Sequence, residues 1–368
     1  MKKILYITHA DSVHDQRFMQ TMLEAGYEVY ALRALAGDWP SPAGVKDLPA
    51  LKFEFPLDAD KASKYSRKLR QVINELQPDL VQAGPLHELT YLAALAGAKP
   101  LLAQSWGFDL MNDSFATPQN LNRTNLGLSY ANGLIVDNHA SAEKAEGLGF
   151  NKKNIFDFPW GVDLALFNRE KNLPEGLELR QQLGWEENKV YFCLRAWEPK
   201  YGVTDLLQAF AEAQELIPRL RLILANGGSQ EALVKKLIRK FKLKDKVHLA
   251  GRVPNAELPK YYAAADVYVS PSHVDGSSVS LMEALASSLP ALVSDIPANL
   301  EWVQEGLNGW VYSDGNIEDL TDGLLTASQA RLEPMRLAAR RVAELKADWQ
   351  KNKEVLLNAW QSLAKKER

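Results

Sequence analysis

The chain has 368 residues, 46% of them hydrophobic and 24% charged, with a formal net charge of -3. The length suits two domains of ordinary size, and the composition is that of a soluble globular enzyme. A balance this close to neutral excludes the global basic field of a nucleic-acid binder, so no nucleic-acid partner is expected.

The chain opens on "MKKILYITHA". Two lysines precede an apolar run that ends at His9, too early for the h-region of a signal peptide. The run reads as a strand, "KILYITH", and "YEVYALR" follows as a second. The stretch "DKASKYSRKLRQVINEL" is basic at 61–70 and has the pattern of a helix. It could face anionic lipid or a phosphorylated acceptor, although a solvated face is the simpler account. "DLVQAG", "PLLAQSW" and "GLIVDN" complete the strands of the first half. His87 follows the first of these, where a lone histidine is more often structural than functional. "LTYLAALAGA" (89–98) is about half a membrane span and ends at Lys99-Pro100. These features place the protein in the cytosol, with the inner face of a membrane as a second location.

Residues 160–188 are rich in Pro, Gly and charge, and lack strand periodicity. They read as a linker plus a short helix, with the domain boundary near Val162. Beyond it come the strands "KVYFCLRA", "RLILAN", "KVHLAG", "DVYVSPS", "PALVSD" and "GWVYS". Cys193, the single cysteine, lies in an apolar run and reads as a core residue. From Asn316 to the terminus the pattern is helical, with "WQKNKEVLLNAWQSLAKK" as the last helix. Strands alternating with helices argue parallel sheets with right-handed crossovers: an α/β chain of two doubly wound, Rossmann-like domains facing a cleft. The expected domains are 1–162, 163–345 and a C-terminal helix, 346–368. In such sheets ligands bind beyond the carboxyl ends of the strands, so the residues there carry the functional reading.

After "YFCL" comes "RAWEPKYGVTDLLQAF". Arg195 and Lys200 lie in the loop, and Thr204 is a candidate N-cap for the helix that follows. Two cations beside a helix start can hold an anion; the plainer reading pairs one of them with Glu198. After "DVYVSPS" comes "HVDGSSVSLMEALASSLPALVSDI". Gly276 lets the backbone approach a ligand, and Ser277 and Ser278 can cap the helix. Between Gly276 and Ser294, Glu283 is the only charged residue. A carboxylate out of water needs a polar partner, so Glu283 either reaches solvent or holds one. "NGGSQ" (226–230) is a weak phosphate signal. The chain has no G-x-G-x-x-G after its first strand and no G-x-x-x-x-G-K-[ST], which disfavours nicotinamide and P-loop enzymes. Trp160, Trp197 and Trp302 fall near strand ends or turns and could stack on a sugar, but most tryptophans pack.

"DGSSVSLMEALASSLPALVSD" resembles the donor-site motif of the family 4 retaining glycosyltransferases, two acidic residues with seven between. "RAWEPKYGV" is similar to the same family's Arg…Lys-Gly element, and "VHLAGRVPNAELPKYYAAADVYVSPS" and "PWGVDLALF" fit in order. The resemblance covers nearly the whole second domain and is weaker in the first. It implies the GT-B fold, with the final helix crossing back to the first domain. It also implies transfer of a sugar from a nucleotide diphosphate, UDP-sugar first and GDP-sugar next, to a saccharide or lipid-linked acceptor. Retention of configuration and no required cofactor or metal follow from the same resemblance. Glu283 would accept from ribose hydroxyls, and Arg195 and Lys200 would neutralise the diphosphate. Asp275 would bind hydroxyls of the donor sugar. Gly276 and the backbone of Ser277, Ser278 and Val279 would contact sugar and phosphate, with Arg252 and Val253 near the base. In the first domain His87, Trp106, Gly107 and Asp109 are acceptor-side candidates. Catalysis would rest on Asp275, Arg195 and Lys200, with the departing phosphate helping to take the acceptor's proton. Deleting residues from Asp348 onward would then separate nucleotide binding from transfer.

The sequence departs from the family in three places. Asp275 stands where Glu is usual. The first loop, "HADSVHDQRF", has no glycine. Trp106 replaces a histidine. An epimerase or hydrolase on the same fold, or a non-catalytic sugar-nucleotide-binding partner subunit, remain the alternatives.

Overall fold

The computed structural model describes residues 1–10, 12–35, 37 and 41–364. Asp11 of the first loop and Lys365 and Lys366 of the last helical stretch lie outside them. The chain divides into two units, Met1–Trp160 with Lys351–Arg368, and Gly161–Gln350.

The first unit holds β1 (Lys3–Thr8), β2 (Glu28–Arg33), β3 (Lys46–Asp47), β4 (Leu80–Ala83), β5 (Leu101–Gln104), β6 (Gly133–Val136) and β7 (Ile155–Asp157). The second holds β8 (Lys189–Cys193), β9 (Leu220–Ala225), β10 (Val247–Gly251), β11 (Val267–Ser270), β12 (Ala291–Ser294) and β13 (Gly309–Tyr312). Their orders are β3-β2-β1-β4-β5-β6-β7 and β10-β9-β8-β11-β12-β13. Every strand pair is parallel. Each unit is therefore a doubly wound sheet whose strand order reverses once, at β1/β4 and at β8/β11. Those reversals are the topological switch points where such sheets bind ligands.

The central strands are buried and mostly apolar because helices cover both of their faces. In the second unit the main core joins Tyr191, Leu222, Leu224, Val267, Val269 and Leu292 to the helix residues Leu206, Leu207 and Phe210. Cys193 is buried in the same core, and burial pushes its thiol up to about 12, so it stays protonated.

The last helix, Trp349–Leu363, is a core element of the first unit. Leu356, Ala359 and Trp360 are fully buried, and Trp360 Nε1 donates to Gln82 Oε1 on β4 at 2.7 Å. A Cβ on Gly133 would lie 2.7 Å from Leu363, so this glycine makes room for the helix on β6. At the edge of the second unit, Val162 N donates to Ala347 O at 2.7 Å and Trp349 N to Val162 O at 3.2 Å. Gly161, at φ +70°, allows that pairing; a Cβ there would meet Ala347 O at 2.9 Å.

Two local expectations are corrected. Residues 169–183 form a full helix, Arg169–Leu183, with Pro174 inside it, rather than a short one. Its apolar stripe is faint because part of its contact is backbone: Gly176 packs so closely on Ala263 and Ala264 that a Cβ would lie 2.7 Å from their atoms. Thr204 is not the N-cap of Val203–Leu216. That position is Gly202, at φ +60°, and the Thr204 hydroxyl lies inside the first turn. Among the described residues no helix is long and apolar enough to cross a membrane.

Candidate donor-binding site

Arg195 follows β8 and Asp275 follows β11, the two neighbouring strands at the second unit's switch point. After β8 the chain makes one 3-10 turn, Pro199–Tyr201, and reaches Gly202. A Cβ on Gly202 would sit 1.9 Å from Pro271 O, so only glycine lets this turn close on the end of β11. His273 N then donates to Lys200 O at 3.0 Å, which ties the Lys200 turn to the Asp275 loop. The His273 side chain reaches Asp314 at 2.6 Å and Asp205 at 3.6 Å, linking that loop to two further elements.

The short helix Val279–Ala286 starts at Ser278, whose hydroxyl accepts from Leu281 N at 3.4 Å. The same hydroxyl accepts from Arg195 Nη1 at 2.7 Å, and Ser280 Oγ accepts from Nη1 at 3.2 Å and from Tyr268 Oη at 2.7 Å. Arg195 Nη2 lies 2.6 Å from Asp275 Oδ2, and Asp275 Oδ1 accepts from Gly276 N at 3.0 Å. The Tyr201 ring covers the guanidinium at 4.2 Å. Burial pushes the Asp275 carboxyl above its ordinary range, and Arg195 pulls it back. Burial is the largest single influence on Arg195 and opposes its charge, but Asp275, with Tyr201, Tyr268 and Cys193 adding to it, holds the guanidinium protonated.

Glu283 is 4% exposed, so it does not reach solvent. Tyr262 Oη donates to its Oε2 at 2.8 Å, and Asn255 Nδ2 lies 3.4 Å from Oε1. Asn255 belongs to the loop that carries Arg252 and Val253, so this contact joins Glu283 to that loop. Burial, then the charge of Glu283, raises the Tyr262 hydroxyl well above its ordinary value and keeps it a donor.

Next to this loop, within the same unit, is a pocket of about 660 Å³ lined by residues that include Trp197, Gly227, Gly228, Leu249 and Arg252. Glu198 feels the charge of Lys200, but its hydrogen bonds go elsewhere. It accepts from Ser229 N at 2.7 Å and from the Ser229 hydroxyl, and so fixes "NGGSQ" as one wall of the pocket. Trp160, Trp197 and Trp302 are all buried, and of the three Trp197 lines this pocket.

In the first unit Asp109 is fully buried and accepts from Ser105 Oγ at 2.7 Å, Trp106 N at 2.8 Å and Leu86 N at 2.9 Å. It braces the loops after β4 and β5 from within. Gly107 has φ +75° and ψ -68°, and Phe108 N donates to Trp106 O at 3.0 Å, a tight turn that favours glycine. Trp106 packs beside Phe18 and Trp160. His87 lies 3.9 Å from Glu88, whose other oxygen is 2.8 Å from His9 at the end of β1. Ser280, Tyr201, Tyr262 and His273 also take part in the contacts around Arg195, Asp275 and Glu283. Sequence reading did not single them out, because hydroxyls and a lone histidine carry no spacing signal.

Residues 177–344 match the family model described as Glycosyl transferases group 1. An alpha-monoglucosyldiacylglycerol synthase of Acholeplasma laidlawii is 30% identical over 46% of this chain, and the aligned stretch spans 43% of that relative. A GDP-mannose-dependent alpha-(1-6)-phosphatidylinositol monomannoside mannosyltransferase of Mycobacterium tuberculosis is 25% identical over 70% of this chain and 68% of its own length. Anabaena HepE, solved in complex with UDP and glucose, superposes with a TM-score of 0.79 at 18% identity over 99% of this chain and 100% of its own. Sucrose-phosphate synthase from Thermosynechococcus elongatus gives 0.80 at 17% identity, over 99% of each chain. The two doubly wound units are thus the GT-B fold of these neighbours, and the stretch that matches the Glycosyl transferases group 1 model lies within the second unit.

Proposed function

We propose that the protein transfers a sugar, with retention of configuration, from a nucleoside diphosphate donor to a saccharide or lipid-linked acceptor. The observation that carries this reading is the convergence of Arg195, Lys200 and Asp275 on the loops at one switch point, with Glu283 on the helix that follows the Asp275 loop. UDP-sugar is the favoured donor and GDP-sugar the next; HepE was solved with UDP, and the mycobacterial relative is named for GDP-mannose. The base would lie toward Arg252 and Val253, the ribose on Glu283, and the diphosphate between Lys200 and the start of the Val279–Ala286 helix. A diphosphate leaving group needs positive charge, and side-chain cations here would supply what a metal supplies elsewhere. The departing phosphate would take the acceptor's proton.

Lys200 gives the direct test. It is half-buried on the turn that Gly202 docks against Pro271, and its charge acts on Asp275. Lys200→Ala is expected to weaken nucleoside diphosphate binding about tenfold, ~1.4 kcal/mol, and to leave nucleoside binding unchanged. Equal losses for both ligands in calorimetric titration would show that the turn shapes the fold and meets no phosphate. Incubation of wild type with UDP-glucose or GDP-mannose separates the rival enzymes: release of free sugar or an epimer without acceptor would mark a hydrolase or epimerase.

The acceptor end of the proposal rests on the helix Ala59–Leu76. Lys64, Arg67 and Lys68 are exposed on it, while Lys61 lies 3.7 Å from Glu54 and Arg70 donates to the carbonyls of Leu95 and Ala96. The outward cations suit an anionic, membrane-borne acceptor. Changing Lys61, Lys64, Arg67 and Lys68 to Gln should reduce sedimentation with anionic vesicles at low salt. Wild-type protein that stays in the supernatant would leave a solvated face as the account of this helix.

A further inference from the structure

The donor loops follow the carboxyl ends of β8 and β11, and a second cluster of charge sits at the amino ends of the same two strands. Lys189 opens β8, and Asp266 directly precedes β11. Two helices of the unit bring arginines to this end. Arg180, on Arg169–Leu183, donates through Nη2 to Asp266 Oδ2 and through Nε to Ala264 O, each at 2.6 Å. Arg169, at the start of the same helix, donates through Nη1 to the carbonyls of Ala263 and Ala265 at 3.2 and 3.4 Å. Arg336, on the helix Leu332–Lys346, reaches Asp266 Oδ1 through Nη2 at 3.4 Å. Val190 N donates to Asp266 Oδ2 at 3.0 Å, which draws the start of β8 against the same carboxylate.

The cluster holds more positive charge than it neutralises. Arg169, Arg180, Lys189 and Arg336 gather around Asp266, and the one further carboxylate in their ion pairs among the described residues is Glu333. Its side chain is 88% exposed and lies 3.5 Å from Arg336 Nε. Four cations against two carboxylates leave two formal positive charges. Arg336 is 8% exposed, and its Nε is buried with no hydrogen-bond acceptor. Lys189 is half-buried, and among the described residues its ammonium has no hydrogen-bond or ion-pair partner. A cation taken from water without a partner is costly. Burial first, and then the charge of Arg336, pushes Arg169 down to about 10. Burial also lowers Lys189, where Asp266 opposes it and Arg336, Arg219 and Arg180 add to it. An anion would offset both causes, accepting hydrogen bonds from the half-buried donors and cancelling their repulsion.

We propose that the amino ends of β8 and β11 form a second anion site, which takes a phosphate group on Lys189, Arg169 and Arg336 around the Asp266–Arg180 pair. A dianion matches the two charges left over, and guanidinium donors beside an ammonium suit phosphate oxygens. The group is inorganic phosphate or a phosphate monoester, free or on a lipid headgroup. Bound there, it would bridge the start of β8 to both helices and stabilise the second unit. The site lies at the opposite end of the strands from the donor loops, so it stands or falls apart from the transfer reading.

The test is thermal melting of the full chain in inorganic phosphate and in chloride at equal ionic strength. Phosphate also stabilises proteins by exclusion from their surface, so the readout is the difference between wild type and Lys189→Met. Wild type is expected to melt higher in phosphate, with a saturable dependence that yields a dissociation constant. Lys189→Met should weaken that constant at least about tenfold, the effect of one lost charged hydrogen bond, and Lys189→Arg should keep it within about 3-fold. In chloride alone Lys189→Met should melt no lower than wild type, because a half-buried cation among cations has been removed. Lys200→Ala should keep the full response, which separates this site from the donor loops. Sedimentation with phosphatidic acid vesicles tells the two sources apart. A pellet that depends on Lys189, without a response to inorganic phosphate, would support the site with its phosphate on a lipid. An equal phosphate response in wild type and Lys189→Met, with equal vesicle binding, would overturn the proposal. So would a lower melting temperature of Lys189→Met in chloride, which would make Lys189 a partner of Asp266 in a cluster complete without an anion.

Discussion

Trp360→Ala is expected to destabilise the first unit by about 3–5 kcal/mol, the range for deleting a buried aromatic side chain. Trp360 is fully buried, packs edge-on to Tyr27, and donates through Nε1 to Gln82. Gln82 in turn donates to Gln104 Oε1 at 2.6 Å, and Tyr6 donates to Asp15 at 2.7 Å and lies 3.5 Å from the same Gln104 oxygen. The alanine variant therefore leaves a cavity and removes a donor from a buried polar chain. Trp360→Phe keeps most of the volume and should cost less, mainly the lost hydrogen bond, about 1–3 kcal/mol. Urea unfolding of the full chain, followed by circular dichroism, gives the readout. A nucleotide bound to the second unit raises only that unit's transition, so the transition it leaves in place belongs to the first. Trp360→Ala should move that one to lower urea. If both midpoints stay put, the helix is not part of the first unit's core.

This changes the meaning of a truncation at Asp348. The sequence suggests a helix that separates binding from turnover. The structure makes the helix part of the first unit's interior, so its removal takes Leu356, Ala359 and Trp360 from the core together. Lost transfer in such a protein would follow from an unfolded first unit, and the single substitution is the cleaner experiment.

Eleven strands are legible in the sequence, each from a short apolar or β-branched run. The two missed, β3 and β7, are edge strands of two and three residues with no buried side chain. An edge strand needs no continuous apolar run, so nothing in its composition marks it. The helix Arg169–Leu183 is under-read for a related reason: part of its packing is done by Gly176, and a missing side chain leaves no hydrophobic signal. In the site, Asp275, Arg195 and Glu283 are legible because each is a charge beside a turn or inside an apolar run. Their partners among one another are not. The Arg195–Asp275 pair joins residues 80 positions apart that only the adjacency of β8 and β11 brings together. The roles of Asp109 and Glu198 are likewise decided by backbone amides of distant loops.

Glu283→Gln is expected to weaken nucleotide binding by about 1–3 kcal/mol, the range for a hydrogen bond to a charged group. The argument starts from the cost of its burial. A carboxylate that is 4% exposed must be met by donors, and Tyr262 supplies one at 2.8 Å. That bond alone explains why a polar group is tolerated there, but not why it is a carboxylate. A glutamine oxygen would accept from Tyr262 as well, so Gln at this position should leave the stability of the free protein nearly unchanged. A carboxylate offers about four acceptor sites, which suits a residue that holds Tyr262 and takes the two hydroxyls of a ribose. Tyr262→Phe gives the contrast. It removes the donor and leaves the charge less satisfied, so stability should fall by about 1–3 kcal/mol while the carboxylate itself is kept. Calorimetric titration of both variants, with urea unfolding of each, separates the two roles. Unchanged nucleotide affinity in Glu283→Gln would reduce Glu283 to a packing partner of Tyr262 and move the ribose elsewhere.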